Sequence, residues 1–268
     1  MTDDRDTLLE LAVEVATEAG RLVRDRREAV DRMTVTATKS SPTDVVTESD
    51  TASEVLIRDR LLTARPRDGL LGEEGSSVDG RSGVVWVVDP IDGTVNYLYG
   101  IPHYAVSIAA EVEGRSVAGV VHNPATGHTW TATLGGGAML GGLPVRESGC
   151  DRLDRALIAT GFGYDPHRRA RQADVLRAVL PRIRDIRRAG TASLDLCAVA
   201  TGWVDGFFER GLNPWDLAAG GLVAQEAGAV VGGLRGAAAG EALVIAAGPT
   251  LFPALHDLLE PLGADRDD

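Results

Sequence analysis

The apolar run Val84-Val85-Trp86-Val87-Val88 leads straight into Asp89-Pro90-Ile91-Asp92-Gly93-Thr94. The run reads as a short strand, and Pro and Gly stop regular pairing right after it. Asp89 and Asp92 therefore stand at the strand's carboxyl end, outside the core. Two carboxylates held this close repel each other unless a cation or a proton intervenes. As oxygen donors on a stiff turn they suit Mg²⁺, and the Ile91 carbonyl can supply a third oxygen. Gly93 lets a phosphate approach backbone N–H groups, and Thr94 offers a hydroxyl to orient water.

The same motif has a plainer account as a solvent-exposed turn with an Asp cap. Other acidic residues share that ambiguity. Thr47-Glu48-Ser49-Asp50 reads as a capping box at the start of a helix. Glu73-Glu74 reads equally as a solvated pair, and Asp216 as the start of the helix from Leu217, where the macrodipole favours negative charge. Sequence separation hides whether these loops converge.

Composition narrows the class. With 27 basic and 39 acidic residues, the formal charge of the 268-residue chain is −12, the wrong sign for a nucleic-acid backbone as main partner. Hydrophobic residues at 44% exclude a largely disordered chain. The N-terminal MTDDRDT does not read as a signal peptide, so none is expected, and uncharged spans such as 116–145 are broken by Gly, Asn, Thr and His, so no membrane span is expected. Cys150 and Cys197 give neither a metal spacing nor a disulfide framework. The expectation is a soluble, cytoplasmic α/β protein. Lys39 is the single Lys among the 27 basic residues, which hints at a place that needs a compact ammonium.

Apolar spacing predicts helices over 7–29 (with Thr7 and Glu10 as a capping box), 51–62, 170–180, 192–201, 217–227 and 251–259. Strands are predicted over 33–37, 84–88, 157–160, 183–186, 204–208 and 243–246, with a short one at Val230-Val231. Residues 104–122 read as two strands joined at Glu113-Gly114, and 128–133 as a third. A polar stretch near 147–154 places a domain boundary close to 148, dividing the chain into 1–148 and 149–268. Residues 265–268 read as a frayed tail. Arg168-Arg169-Ala170-Arg171 reads as solvated helix surface, and Arg187-Arg188 as a pair near substrate or a partner subunit. His103 reads as a structural histidine.

Four ordered motifs then carry a resemblance. Lys39-Ser-Ser-Pro-Thr-Asp44-Val-Val-Thr47-Glu-Ser-Asp50, Gly72-Glu73-Glu74, Trp86 through Tyr97, and Trp215-Asp216 followed by small residues resemble the inositol monophosphatase family over nearly the whole chain. The resemblance implies a layered α-β-α-β-α sandwich, a homodimer, and Mg²⁺-dependent, lithium-sensitive phosphatase activity. By motif, Glu73, Asp89 and the Ile91 carbonyl would hold a first Mg²⁺, and Asp89, Asp92 and Asp216 a second. Glu73 would help with a third ion through waters, and Mn²⁺ is an alternative metal. Asp50 and Thr94 match the pair that orients the attacking water, and Lys39 the loop that closes near the metals. Gly190, Thr191, Ala192, Glu209 and Asn213, with Phe162–Tyr164, match contacts to the alcohol moiety, beside Asp92, Gly93, Thr94 and Asp216.

Two departures bear on the rim. Asn213-Pro214 stands where animal members carry His-Cys, and Phe162-Gly163-Tyr164 looks more like microbial members. The implied activity is hydrolysis of a small phosphorylated polyol, inositol 1-phosphate first. Histidinol phosphate, fructose 1,6-bisphosphate and 3′-phosphoadenosine phosphate are alternatives within the fold. A noncatalytic interaction protein is the alternative outside it.

Overall fold

Because successive strand residues point to opposite faces, a strand covered on both sides feeds two cores. The computed structural model describes residues 2–29, 35–39 and 45–267. Among these, β1 (Ala37–Thr38) pairs antiparallel with β2 (Val45–Val46). A seven-stranded sheet follows in sequence order: β3 (Gly69–Gly72), β4 (Val84–Asp92), β5 (Ala105–Val112), β6 (Arg115–His122), β7 (Thr129–Thr133), β8 (Gly137–Leu140) and β9 (Leu143–Pro144). Only its β3–β4 pair is parallel. β10 (Leu157–Thr160), β11 (Asp185–Arg187), β12 (Gly206–Glu209), β13 (Val230–Gly232) and β14 (Val244–Ala247) form a second, mixed sheet ordered β11-β10-β12-β14-β13.

The helices are α1 (Thr2–Glu28), α2 (Glu48–Ala64), α3 (Thr94–Tyr99), α4 (Pro166–Val179), α5 (Ala192–Ala200), α6 (Pro214–Glu226) and α7 (Leu251–Leu259). Trp86 and Val88 of β4 enter a core with Leu8, Ala12 and Ile57 of α1 and α2. Val87, between them, faces Leu194, Ala219 and Leu222 of α5 and α6. β14 repeats the division, with Val244 and Ala246 toward α5 and α6 and Ile245 and Ala247 toward α4 and α7. Five layers result: α1 and α2, the larger sheet, α5 and α6, the smaller sheet, then α4 and α7. This is the α-β-α-β-α order implied by the motifs.

The middle layer is the tightest. α5 lies between two sheets and is buried on nearly every side, as a helix without a polar face must be. Gly220 of α6 makes the approach possible: a Cβ there would come within 3.0 Å of the Ser193 carbonyl and 3.1 Å of the Leu196 Cβ. The two sheets fall on either side of residue 148, but α6 packs across β4 to β8 of the first. The carboxyl end of β4 and the amino ends of α3, α5 and α6 thereby meet at one cleft.

Several elements differ from the sequence expectations. α1 starts at Thr2, so Thr7 lies inside the helix and no capping box stands there. Met33 lies outside the described residues; among those described, the strand there is Ala37–Thr38, with the Thr36 N–H also donating to the Val46 carbonyl. β3 and α3 were not anticipated: β3 is four residues bounded by glycines, and α3 is six residues inside a turn motif. α4 and α6 begin earlier than their apolar spacing suggests, because Pro166 and Pro214 occupy first-turn positions that need no N–H donor. The tail is not frayed through Asp267: Asp265 pairs with Arg235, and Asp267 with Arg168 and Arg210.

The tight middle layer yields a stability test. Gly220→Val should lower stability by about 1–3 kcal/mol through overpacking. Gly240→Ala, where a Cβ meets nothing within 4 Å, should stay within about 0.5 kcal/mol. Urea midpoints of the two variants check this.

Candidate active site

α2 aims one face at the end of β4. Asp50, Ser53, Glu54, Ile57 and Leu61 recur at helical spacing and are all buried. Asp50 closes the capping box that the sequence suggests: its Oδ2 accepts from the Thr47 N–H at 2.8 Å and the Thr47 hydroxyl at 2.5 Å. Its other oxygen, Oδ1, accepts from the Thr94 hydroxyl at 3.1 Å. The cap reading and the site reading are therefore both realised, one on each oxygen. Burial pushes the Asp50 carboxyl up to about 6, against the Thr47 donors that favour the carboxylate.

Ser53 donates to the Pro90 carbonyl at 3.1 Å, tying α2 to the last residues of β4, which run on past the expected stop with a register shift between Asp89 and Asp92. There Asp89 Oδ1 accepts from the Ile91 N–H at 3.0 Å. Gly93 sits at φ 86, where side chains are strained, and a Cβ there would lie 2.3 Å from Thr191 Oγ1. Thr94 has one hydroxyl proton and two acceptors in reach, Asp50 and the Ile91 carbonyl at 3.0 Å.

Three carboxylates converge from two directions. Asp89 and Asp92 come from the end of β4 and Asp216 from the first turn of α6, and one oxygen of each lies within 4.8 Å of the others. Asp92 is held by the Ser193 N–H at 2.7 Å and the Ser193 hydroxyl at 2.5 Å, at the start of α5. Asp216 Oδ2 accepts from the Asn213 N–H at 2.7 Å, in a capping box. Burial, then the neighbouring carboxylates, push Asp89 and Asp216 well above the ordinary range. Burial takes Asp92 to about 6, against its Ser193 donors. This donor set fits a hard divalent cation: three carboxylate oxygens gathered in a buried site.

Glu73 lines the same cleft but stands outside that triad, with Oε1 accepting from Lys39 at 2.8 Å. Lys39 also donates to Glu74 at 2.7 Å. Burial disfavours its ammonium, but the two carboxylates outweigh it and hold the proton more firmly than usual. The lone Lys thus meets two acidic partners at the cleft, although residues 40–44 of its motif lie outside the described residues.

The cleft has a volume of about 460 Å³. It gathers Lys39, Glu73, Asp89, Ile91, Asp92, Gly93, Thr94, Gly190, Ala192, Glu209 and Asp216 from the sequence-derived set. Asp50 lies behind Thr94. Thr191 has a different part from the expected substrate contact: its buried hydroxyl donates to the His103 carbonyl at 2.7 Å, so it clasps two segments instead of lining the cleft. Glu209 packs over Gly161, where a Cβ would lie 2.1 Å from its carboxylate. Burial and then Asp195 push Glu209 up to about 8.

Sequence reasoning missed Glu54. This buried carboxylate accepts from the Glu74 N–H at 2.7 Å and the Ser76 N–H at 2.9 Å, which fixes the loop carrying Glu73. Its signal was its position four residues after Asp50, on the same helical face. Arg168 and Arg210 were also missed. They line the cleft, where Arg168 was expected on solvated surface.

The comparisons with known proteins cover the same ground. The family model described as "Inositol monophosphatase family" matches residues 4–262. This chain belongs to the inositol monophosphatase family. Inositol-1-monophosphatase of Mycobacterium leprae is 46% identical over 276 residues, spanning 96% of this chain and 95% of that protein. Nus factor SuhB of Escherichia coli is 40% identical, spanning 85% and 86%. The solved structure of Mycobacterium tuberculosis SuhB superposes with a TM-score of 0.84 at 43% identity, covering 97% of this chain and 98% of that one. The layered architecture is therefore that of the inositol monophosphatase fold.

The crowded carboxyls make stability depend on pH. A carboxyl raised in the folded chain keeps its proton where the unfolded chain has lost it, so stability falls as pH rises from about 4 through the raised value. For Asp92, from 3.8 to about 6, the loss is up to about 3 kcal/mol. In divalent-free buffer, Tm should decline between pH 5 and 7.5, and Asp92→Asn should raise Tm at pH 7.5 and flatten the decline. A flat native profile in the presence of EDTA would refute the repulsion argument.

Proposed function

We propose that this chain hydrolyses a small phosphorylated polyol, with inositol 1-phosphate as the preferred substrate, in a divalent-metal-dependent reaction. The observation that carries the reading is the convergence of Asp89, Asp92 and Asp216 beside the Thr94–Asp50 pair. Asp89, Asp92 and Asp216 would hold one Mg²⁺, and Glu73, Asp89 and the Ile91 carbonyl another. When bound, Mg²⁺ supplies Lewis-acid stabilisation of phosphoryl oxygens and lowers the pKa of a water.

The chain's own groups do the rest. Donating its proton to Asp50 Oδ1 leaves the Thr94 oxygen free to accept from water, which orients that water toward the phosphorus. Asp50 is ready to take the displaced proton, because burial brings its carboxyl to about 6, near the working pH. The backbone at Gly93 and Thr94 lines the cleft where phosphoryl oxygens would meet it, and Thr191 fills the space a side chain at Gly93 would take. Glu209, whose carboxyl burial raises to about 8, would keep its proton at neutral pH and could then both donate to and accept from polyol hydroxyls. A hydroxyl suits such a group better than the ammonium of histidinol phosphate does.

A phosphate-release panel in Mg²⁺ should give the highest kcat/KM for inositol 1-phosphate over histidinol phosphate, fructose 1,6-bisphosphate and 3′-phosphoadenosine 5′-phosphate. Asp89→Asn should lower kcat/KM by about 1000-fold or more, while Thr94→Ser, which keeps the hydroxyl, should cost about tenfold or less. Equal losses in the two variants, or no phosphate release from any substrate, would contradict the reading.

A further inference from the structure

Arg168 and Arg210 line the catalytic cleft, and the proposed reaction gives neither a task. Both are turned onto a single carboxylate. Arg168 Nε and Nη2 donate to the two oxygens of Asp267, each at 3.2 Å, as a planar fork against a planar acid. Arg210 Nη1 pairs with Asp267 Oδ1 as well. These partners, Arg210 first, hold the Asp267 carboxyl below the usual range.

The seat of the arginine is built into the backbone. A Cβ at Gly211 would lie 2.6 Å from Arg168 Nη1, and one at Gly163 2.9 Å from Arg168 Cδ. Gly211 also sits at φ 92, where other residues are strained. The carboxylate, by contrast, arrives on residues 263–267, which belong to no strand or helix, and its side chain is 47% exposed. Guanidinium forks bind phosphate with the same geometry as carboxylate.

We propose that Arg168 and Arg210, which line the cleft, form a second anion subsite whose guanidinium donors are taken in this structure by the chain's own Asp267. Asp267 is thereby a specificity-determining residue: a substrate bearing a second phosphate must displace it. A monophosphate leaves the tail in place. The inference rests on the phosphatase reading for its substrate class, while the subsite itself is a matter of binding. Replacing Asp267 with a neutral residue leaves two unneutralised guanidinium groups on residues that line the cleft, which favours a dianion over the native arrangement.

Two measurements separate the claims. In phosphate release, Asp267→Asn should raise the ratio of kcat/KM for fructose 1,6-bisphosphate over inositol 1-phosphate about tenfold, and Asp267→Glu should keep the native ratio. In calorimetric titration without turnover, fructose 1,6-bisphosphate should bind the Asp267→Asn protein about tenfold more tightly than native. That gain should vanish when Arg168→Gln is added and shrink in high salt. An unchanged ratio together with unchanged binding overturns the proposal, as does a gain that survives Arg168→Gln. A native protein that releases no phosphate, but whose Asp267→Asn variant shows the Arg168-dependent binding gain, would sink the phosphatase reading and leave the subsite standing.

Discussion

Mutual repulsion among buried carboxylates is the constraint around which this molecule is arranged. One oxygen of each of Asp89, Asp92 and Asp216 lies within 4.8 Å of the others, with Glu73 alongside. Without a cation or added protons, the repulsion within that arrangement opposes folding. The cost is borne by the layers behind it: strands feeding two cores, a buried α5 and a close α5–α6 contact. Natural sites commonly hold such a conflict because function needs it.

The carboxylates are kept from swinging apart by donors on neighbouring elements. Ser193 fixes Asp92, the Asn213 N–H fixes Asp216, and the Ile91 N–H fixes Asp89. Thr47 fixes Asp50, and Glu54 fixes the loop that carries Glu73. Most of these donors are backbone N–H groups at helix starts or tight turns, which favour negative charge without bringing a counter-ion into the site. Lys39 is the exception, a side-chain cation lying directly on Glu73 and Glu74. The cleft is left strongly acidic around one end and lined by arginines elsewhere, and a bound phosphate has to be reconciled with both.

Much of this was legible in the chain itself. The apolar run before Asp89-Pro90-Ile91-Asp92 announced a strand, because period is a local property. β4 nevertheless runs on through Asp92 past the expected stop at Val88, carried over Pro90 by a register shift against β5. The capping box at Thr47 is local too, although what Asp50 does with its second oxygen is not, and the box at Asn213 showed only in the structure. Glu54 escaped notice because a lone Glu on a helix is ordinary until the loop it clamps is seen. Arg168 escaped for the same reason: an arginine-rich helix start looks like solvated surface, and only the folded chain brings Gly211 and the tail against it. Short elements such as β3 and α3 were lost because neither is long enough to establish a period. The family motifs supplied the layer order, which pattern alone did not.

The account turns on whether the carboxylate triad is a seat for a divalent ion. Anomalous diffraction from crystals soaked in Mn²⁺ tests this most directly. A peak touching Asp89, Asp92 and Asp216 together is the predicted result. Peaks only at other acidic residues, or none at saturating Mn²⁺, would contradict it.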